Sequence, residues 1–385
     1  MACEQLTRLG DVIELEDVKR EPISSRDRKD RKGSYPYYGA QGIVDYLDDY
    51  TYEGDYLLVA EDGENLRSRK NPIANAASGK FRVNNHAHVI AESEKCNLVF
   101  LRHLLNMTDI SAYVTGSTQP KLSQSNLCAM KLPLPSMAEQ NAIANVLSLF
   151  DRKIELNNQL NDYLLELVSS VFAHRFSNNV NTTELKNVLS ISTKALKPQE
   201  HAGEIWEHYS IPAFDENHRP VFEPASGIKS NKYQIDSECI LISKLNPSTK
   251  RIWMPYCSSN NAVCSTEFIV YRPYLKEYKS FYYAAIDSPR FTDYLLEHVS
   301  GSTGSRQRAQ SKDTLNYLMP NPGKEEIKDF CTFADPIYRH IQINEQQTAK
   351  LELLRDALLP KLMSGEIDVS KVDLTQLTNN HLADC

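Results

Sequence analysis

The sequence predicts an α+β protein: two mixed α/β globular domains separated by a pair of long antiparallel helices, one unit written twice with an internal pseudo-two-fold. Three observations predict it. Two stretches carry the same heptad stripe, and the landmarks around them recur in the same order in each half. The length of 385 residues exceeds one ordinary domain and suits two, each with its own core.

The stripe comes first because the rest is arranged around it. Leu147, Phe150, Ile154, Asn157, Asn161, Leu164, Val168 and Val171 follow one another at alternating steps of three and four, the spacing of a coiled-coil seam. A shift of 187 residues carries Ile154 onto Ile341 and yields Ile337, Ile341, Asn344, Thr348, Leu351, Arg355 and Leu358 at the same steps. Phe150, Ile154, Asn157, Leu164 and Val168 are thus expected to form one seam with Ile337, Ile341, Asn344, Leu351 and Leu358. Neither helix can bury its stripe alone, so the two should pack on each other. Asn157 and Asn344 either fix the register of the pair at some cost in stability or sit at its solvent edge.

The repeat extends beyond the helices. Leu9-Gly10-Asp11-Val12-Ile13 resembles Leu185-Lys186-Asn187-Val188-Leu189, and the strand-like Tyr56–Ala60 run matches Cys239–Ser243. His86–Ile90 aligns with Thr266–Val270, and Gly116-Ser117-Thr118 with Gly301-Ser302-Thr303. Pro133-Leu134-Pro135 and Pro320-Asn321-Pro322 then introduce the helices, with Ser136 and Asn321 available as caps. The expected boundaries are 1–138 and 178–323 for the globular domains, 139–177 and 324–366 for the helices, and 367–385 for a polar tail that frays or folds back. Pro360 should kink or fray the last turn of the second helix, and Gly365 suits its end.

Composition bounds the function. A hydrophobic content of 41% with 24% charged residues is that of a soluble globular protein. No apolar run is long enough to span a bilayer and Met1–Gln5 lacks a signal segment, so a cytoplasmic protein with no membrane partner is expected. Eight cysteines without a CxxC pair read as reduced thiols. The net charge of −7 argues against non-specific coating of nucleic acid and leaves room for local basic surfaces.

Taken in order and twice over, these fragments resemble the specificity subunit of Type I restriction-modification systems. The residues that carry the resemblance are Leu9-Gly10-Asp11-Val12, Leu57-Leu58-Val59, Asn85–Val89, the Gly-Ser-Thr loop with Gln119, Lys121 and Leu122, and Leu132–Pro135 followed by Glu139-Gln140. The second half adds Ile211–Phe214, Cys264–Phe268 and Gly301–Thr303. The resemblance implies a non-catalytic reader of double-stranded DNA, with two target-recognition domains that each read one half of a split site. It implies paired helices that hold the halves apart and dock two methyltransferase subunits, with restriction and motor subunits joining that core. The chain itself would bind no cofactor; S-adenosylmethionine would belong to the methyltransferase partners. Because the loops of the two domains differ, the complete target should be asymmetric. A helix of about 30 residues spans roughly 45 Å, against roughly 34 Å for a turn of DNA, so the helices could serve as a ruler.

Base readout needs Arg, Lys, Asn or Gln on exposed loops, and phosphate contacts need any cation or hydroxyl within reach. The candidates in the first domain are Arg67, Arg69, Lys70, Lys80, Gln119, Lys121 and Gln124, with Arg82 beside them. In the second they are Lys244, Asn246, Lys250, Arg251, Arg306, Gln307, Arg308, Gln310 and Lys312. The loops after Gly116 and Gly301 are the strongest, since glycine permits the turn and polar readers follow in both copies. The basic run from Lys19 to Lys32 either touches phosphates or forms a mobile solvated loop. Tyr35, Tyr37 and Tyr38 either stack on an extruded base or pack within the domain.

No catalytic or metal site is expected. Asn71-Pro72-Ile73-Ala74 and Asn246-Pro247-Ser248 lack the second proline and aromatic residue of an adenine methyltransferase, and Ala74 stands where a P-loop needs glycine. His86 and His88 share a strand face without an evident third metal ligand, and Glu326-Ile327-Lys328 opens a helix. A coiled-coil scaffold whose lobes bind a ligand other than DNA is the competing reading.

Overall fold

The computed structural model describes residues 6–300 and 307–369. The chain divides into two compact units, Met1–Ile154 with Lys350–Cys385, and Glu155–Ala349.

In the first unit β1 (Leu6–Arg8) is followed by β2 (Glu14–Leu15), β3 (Lys32–Gly39), β4 (Gly42–Leu47), β5 (Tyr52–Ala60), α1 (Asn65–Ser68), β6 (Ala74–Val83) and β7 (Ala87–Ala91). Then come α2 (Leu98–Met107), α3 (Gln124–Ala129), β8 (Lys131–Pro133) and α4 (Met137–Phe176). Six strands form one sheet in the order β2-β7-β5-β6-β3-β4. β5 is central because Leu57, Leu58, Val59 and Ala60 are all buried, an apolar run that only a strand covered on both faces can use.

The second unit contains β9 (Thr182–Glu184), β10 (Leu189–Ser192), β11 (Ala195–Leu196), β12 (Ile205–Tyr209), α5 (Ile211–Asn217), β13 (Val221–Pro224), β14 (Lys232–Gln234) and β15 (Ile240–Ser243). It continues with β16 (Ile252–Trp253), β17 (Ala262–Ser265), β18 (Phe268–Pro273), α6 (Lys279–Asp287), α7 (Pro289–Glu297), β19 (Val299–Ser300), β20 (Arg308–Ala309), β21 (Leu318–Pro320) and α8 (Lys324–Met363). Its sheets run β10-β18-β15-β16 and β11-β14-β17-β12-β13. The repeat is visible in the ladders. β2-β7-β5 corresponds to β10-β18-β15, the parallel pair β3/β6 to β12/β17, and the long strand β6 is divided into β16 and β17.

The ladders also correct one alignment. Ala60 pairs with Ala87 and Ser243 with Phe268, so His86 stands where Glu267 stands, one residue away from the sequence match to Thr266. Two apolar strands of similar composition slide past each other in sequence, whereas a ladder admits one register.

α4 and α8 are each 40 residues long and antiparallel. Ile143, Val146, Leu147 and Phe150 of α4 share the first unit's core with Leu351, Leu359 and Leu362 of α8. Val168, Phe172 and Phe176 share the second unit's core with Ile327, Phe330, Tyr338 and Ile341. Of the expected seam, Ile154 and Leu358 pack against the first core and Leu164 and Ile337 against the second. Asn157 and Asn344 lie inside the pair, 1% and 4% exposed, not at its edge. Asn157 donates to Gln347 at 3.0 Å and Thr348 at 3.3 Å, and Asn344 donates to Asn161 at 2.8 Å. The shift that takes Asn157 to Asn344 takes Asn161 to Thr348, so these bonds are reciprocal under the repeat.

Both helices start on a glutamate that reaches back. Glu139 accepts from the backbone and hydroxyl of Ser136 at 3.0 and 2.7 Å, a capping box. In α8 the cap is not Asn321, whose amide bonds Asn181 beside the β9–β21 ladder; Glu326 instead accepts from the Gly323 amide at 2.9 Å. α8 also continues three residues past Pro360 and ends at Gly365, which has φ +69° and donates to Leu362. Ile367 and Val369 pack against the first unit's core; the rest of the tail lies outside the described residues. No helix among the described residues is long and apolar enough to cross a membrane.

Candidate nucleic-acid interface

Each unit brings two of the expected reading segments together at one loop stem. In the first, the chain leaving β5 meets the return arm of the Gly116 loop. Leu122 donates its amide to the Glu61 carbonyl at 2.7 Å and Gly63 to Pro120 at 3.1 Å, while Thr115 and Lys121 exchange bonds of 2.8 Å. In the second, Ala309 donates to Lys244 and Asn246 to Gln307, both at 2.9 Å. Gly63 and Asn246 occupy the same place and both have positive φ, +111° and +47°. Glu61 therefore corresponds to Lys244, Lys121 to Arg308 and Leu122 to Ala309.

Gly116 is required by its turn. Its φ is +85°, and a Cβ there would lie 2.2 Å from the Gln119 carbonyl oxygen. Arg67 closes the loop from outside, donating to the carbonyls of Ser117, at 2.9 Å, and Gly116. Gln119, Lys121 and Gln124 are exposed around this stem, as is Lys70. Lys80 stands on β6, 4.6 Å from the Tyr50 ring and 3.8 Å from Glu53.

Beneath the stem lies a charged layer. His88, fully buried, faces Asp17 through Nδ1 at 2.6 Å and the Leu122 carbonyl through Nε2 at 2.8 Å. Arg20 joins Asp17 and Glu61, and Lys121 pairs with Glu61 at 3.1 Å. Asp17, Glu61 and His88 could form a metal trio, their ligand atoms lying within 4.8 Å of one another. Arg20 and Lys121 already supply the positive charge that an ion would bring. Burial pushes Asp17 and Glu61 upward, but hydrogen bonds from His88 to the one and from Arg20 and Lys121 to the other leave both carboxyls below the usual range.

Several candidates are engaged elsewhere. Arg69, at φ +51°, donates to the Leu105 and Asn106 carbonyls at the end of α2, at 2.9 and 2.7 Å, the place where a helix has carbonyls to satisfy. Arg82 is buried and clamped on Asp49 at 2.6 Å. Arg251 grips Asp215 of α5 through Nε and Nη2 at 2.5 and 2.9 Å, and Lys250 pairs with Asp287 at 2.7 Å. Arg308 is held by Glu267, and Gln310 and Lys312 are exposed on the segment that follows. Arg306 and Gly301–Thr303 lie outside the described residues.

The basic run is neither free nor solvated throughout. Arg28 and Lys32 pair with Asp45, and Arg31 with Asp48 and Asp49. Tyr37 is buried, its hydroxyl donating to Glu21 and accepting from Ile23, and Tyr38 packs edge-on to Phe81. Sequence reasoning missed Glu61 and Glu267, the acids that hold the loop cations.

Sheet, loop stem and helix, each present twice with different side chains at the loops, define a duplicated module. Residues 5–166 match the family model described as the Type I restriction modification DNA specificity domain. A candidate type I restriction enzyme specificity subunit of Haemophilus influenzae is 37% identical over 139 residues, 36% of this chain and 35% of that one. The EcoprrI specificity subunit of Escherichia coli is 29% identical over 171 residues, 44% and 39% of the two chains. The MjaIX specificity subunit of Methanocaldococcus jannaschii is 24% identical over 354 residues, 82% and 80% of the two chains. The match thus spans little more than a third of the length of the first two relatives. A crystal structure of a Type I S subunit from M. genitalium, 19% identical, has the same fold, with a TM-score of 0.58 over 93% of this chain and 95% of that one. Residues 5–166 thus match the DNA specificity domain of Type I restriction-modification systems, and over most of its length the chain is similar to specificity subunits of such systems.

Proposed function

We propose that this chain is the non-catalytic DNA-reading subunit of a cytoplasmic Type I restriction-modification complex. Each unit reads one half of a two-part, asymmetric double-stranded target through its loop stem. Two methyltransferase subunits dock on the chain and bring S-adenosylmethionine, and restriction and motor subunits join that core. One observation carries the reading: the same stem is built twice, from the segment after the central strand and the return arm of a polar loop, with different residues at equivalent positions. Glu61, Lys121 and Leu122 in one unit answer to Lys244, Arg308 and Ala309 in the other. A shared scaffold with unlike side chains is what two different half-sites require.

Docking is supported by Leu156, Leu160, Tyr163 and Leu167 of α4. They are 49%, 40%, 68% and 46% exposed and recur at steps of four and three. Such a stripe is costly to leave in water and suits another helix.

The test is co-expression with the methyltransferase of the same system and sequencing of methylated sites. Exchange of residues 1–135 for the equivalent stretch of another specificity subunit should change one half of the methylated motif and leave the other. A change in both halves would refute the two-reader arrangement. Absence of DNA binding with the methyltransferase present would favour a scaffold for another ligand.

A further inference from the structure

Each unit holds a cation at the same point of its loop stem, but with a carboxylate from a different strand. In the first unit Lys121 lies 3.1 Å from Glu61, the residue after β5. In the second the place of Glu61 is taken by Lys244, and Arg308 is gripped by Glu267 through Nε and Nη2 at 3.0 and 3.2 Å. Glu267 precedes β18 and occupies the position of His86. Acid and base have been exchanged across two neighbouring positions, Glu61 and His86 against Lys244 and Glu267, while the paired cation has been kept.

Stability is a poor reason for keeping it. The Lys121 and Arg308 side chains are 53% and 44% exposed, against 12% for Glu61 and 30% for Glu267, and an ion pair whose cation stands this open to water contributes little. Affinity for phosphate is no better a reason, because a carboxylate beside a cation weakens its attraction for an anion. What such a pair does is fix where the N–H groups point. In the first unit the tether is itself anchored. Glu61 accepts from Arg20 at 2.6 Å, and His88 donates to the carbonyl of Leu122, next to Lys121, at 2.8 Å.

We propose that Glu61 and Glu267 are positioning residues for sequence specificity, each aiming one loop cation, Lys121 or Arg308, at the base edges of the half-site that its unit reads. The proposal rests on the DNA-reading function above and adds residues that touch no DNA themselves. An acid that restrains a cation trades general affinity for discrimination, since a misdirected base leaves the restrained donors unpaired.

The test uses the full chain co-expressed with its methyltransferase in a host without adenine methylation, with methylation scored at every near-cognate site. Glu61→Gln should lower discrimination by about fivefold or more at base pairs of one half-site only, and Glu267→Gln likewise in the other half, as expected for loss of a base contact. Glu267→Asp, which keeps the charge, should retain part of the lost discrimination. Unchanged base preference in both Gln variants, or equal weakening across the two halves, would overturn the proposal. Should Glu61→Gln fail to fold, the more exposed Glu267 carries the test alone. A parent complex that methylates no two-part motif would overturn the DNA-reading function, and this inference with it.

Discussion

Removing the charge of Asp151 should destabilise the protein at neutral pH and not at acid pH. Asp151 of α4 accepts from Arg355 of α8 at 2.9 Å and from His103 of α2 at 3.0 Å, and Arg102 donates to the same carboxylate. The Asp151 and Arg355 side chains are 23% and 25% exposed. Burial alone would raise this carboxyl; the His103 hydrogen bond, the Arg102 charge and Arg355 outweigh it and hold the group at about 2, below its ordinary 3.8. A difference of just under two units is worth about 2–3 kcal/mol at roughly 1.4 kcal/mol per unit. The carboxyl is depressed in the folded state, so this stabilisation is complete above the unfolded value of 3.8 and is lost as pH falls through about 2. Asp151→Asn keeps the shape and removes the charge. Urea unfolding of the full chain, followed by helical circular dichroism, should show the variant about 2–3 kcal/mol less stable than the parent at pH 7 and at pH 5. The gap should begin to close below pH 4. Tyr338, at the repeat position of Asp151, packs against Tyr283 at 5.0 Å instead, and Tyr338→Phe provides a control whose gap does not follow this titration. An Asp151→Asn gap equal at pH 3 and pH 7 would refute the reasoning and assign the loss to packing.

Two further predictions concern polar side chains of α8. Asn344→Leu leaves the Asn161 side chain buried without its partner and should cost about 1–3 kcal/mol, whereas Asn161→Leu with Asn344→Leu should recover most of it; a double variant no more stable than the single one in urea would refute this. Burial pushes the Glu345 carboxyl up to about 8, against the opposing pull of Arg219. A carboxyl raised in the folded state is paid for on ionisation, so stability is lost as pH rises from the ordinary 4.5 through about 8. Glu345→Gln should therefore gain in Tm relative to the parent between pH 5 and pH 8.5, and a constant difference over that range would exclude a buried, raised carboxyl.

What was legible in the sequence is what repeats without change of sign. The heptad stripe carried the helix pair, and Asn157 matched to Asn344 marked the polar layer, because seam spacing follows from helix geometry alone. The glycine of the first loop was legible too, since a φ of +85° selects that residue whatever surrounds it. Charge was the least legible property. Arg69, Arg82 and Arg251 read as available cations on loops and strands, yet their partners stand 36 or 37, 33 and 36 residues away, so each destination is decided by tertiary structure. The acids of the two stems were hidden for a deeper reason. Alignment of the repeat sets Glu61 opposite Lys244, an apparent disagreement, because the constraint is that one of two adjacent strands places a carboxylate on the loop cation, whichever strand supplies it. A ladder shows that pairing directly, and it turns an apparent divergence between the halves into the same electrostatic solution reached from opposite strands.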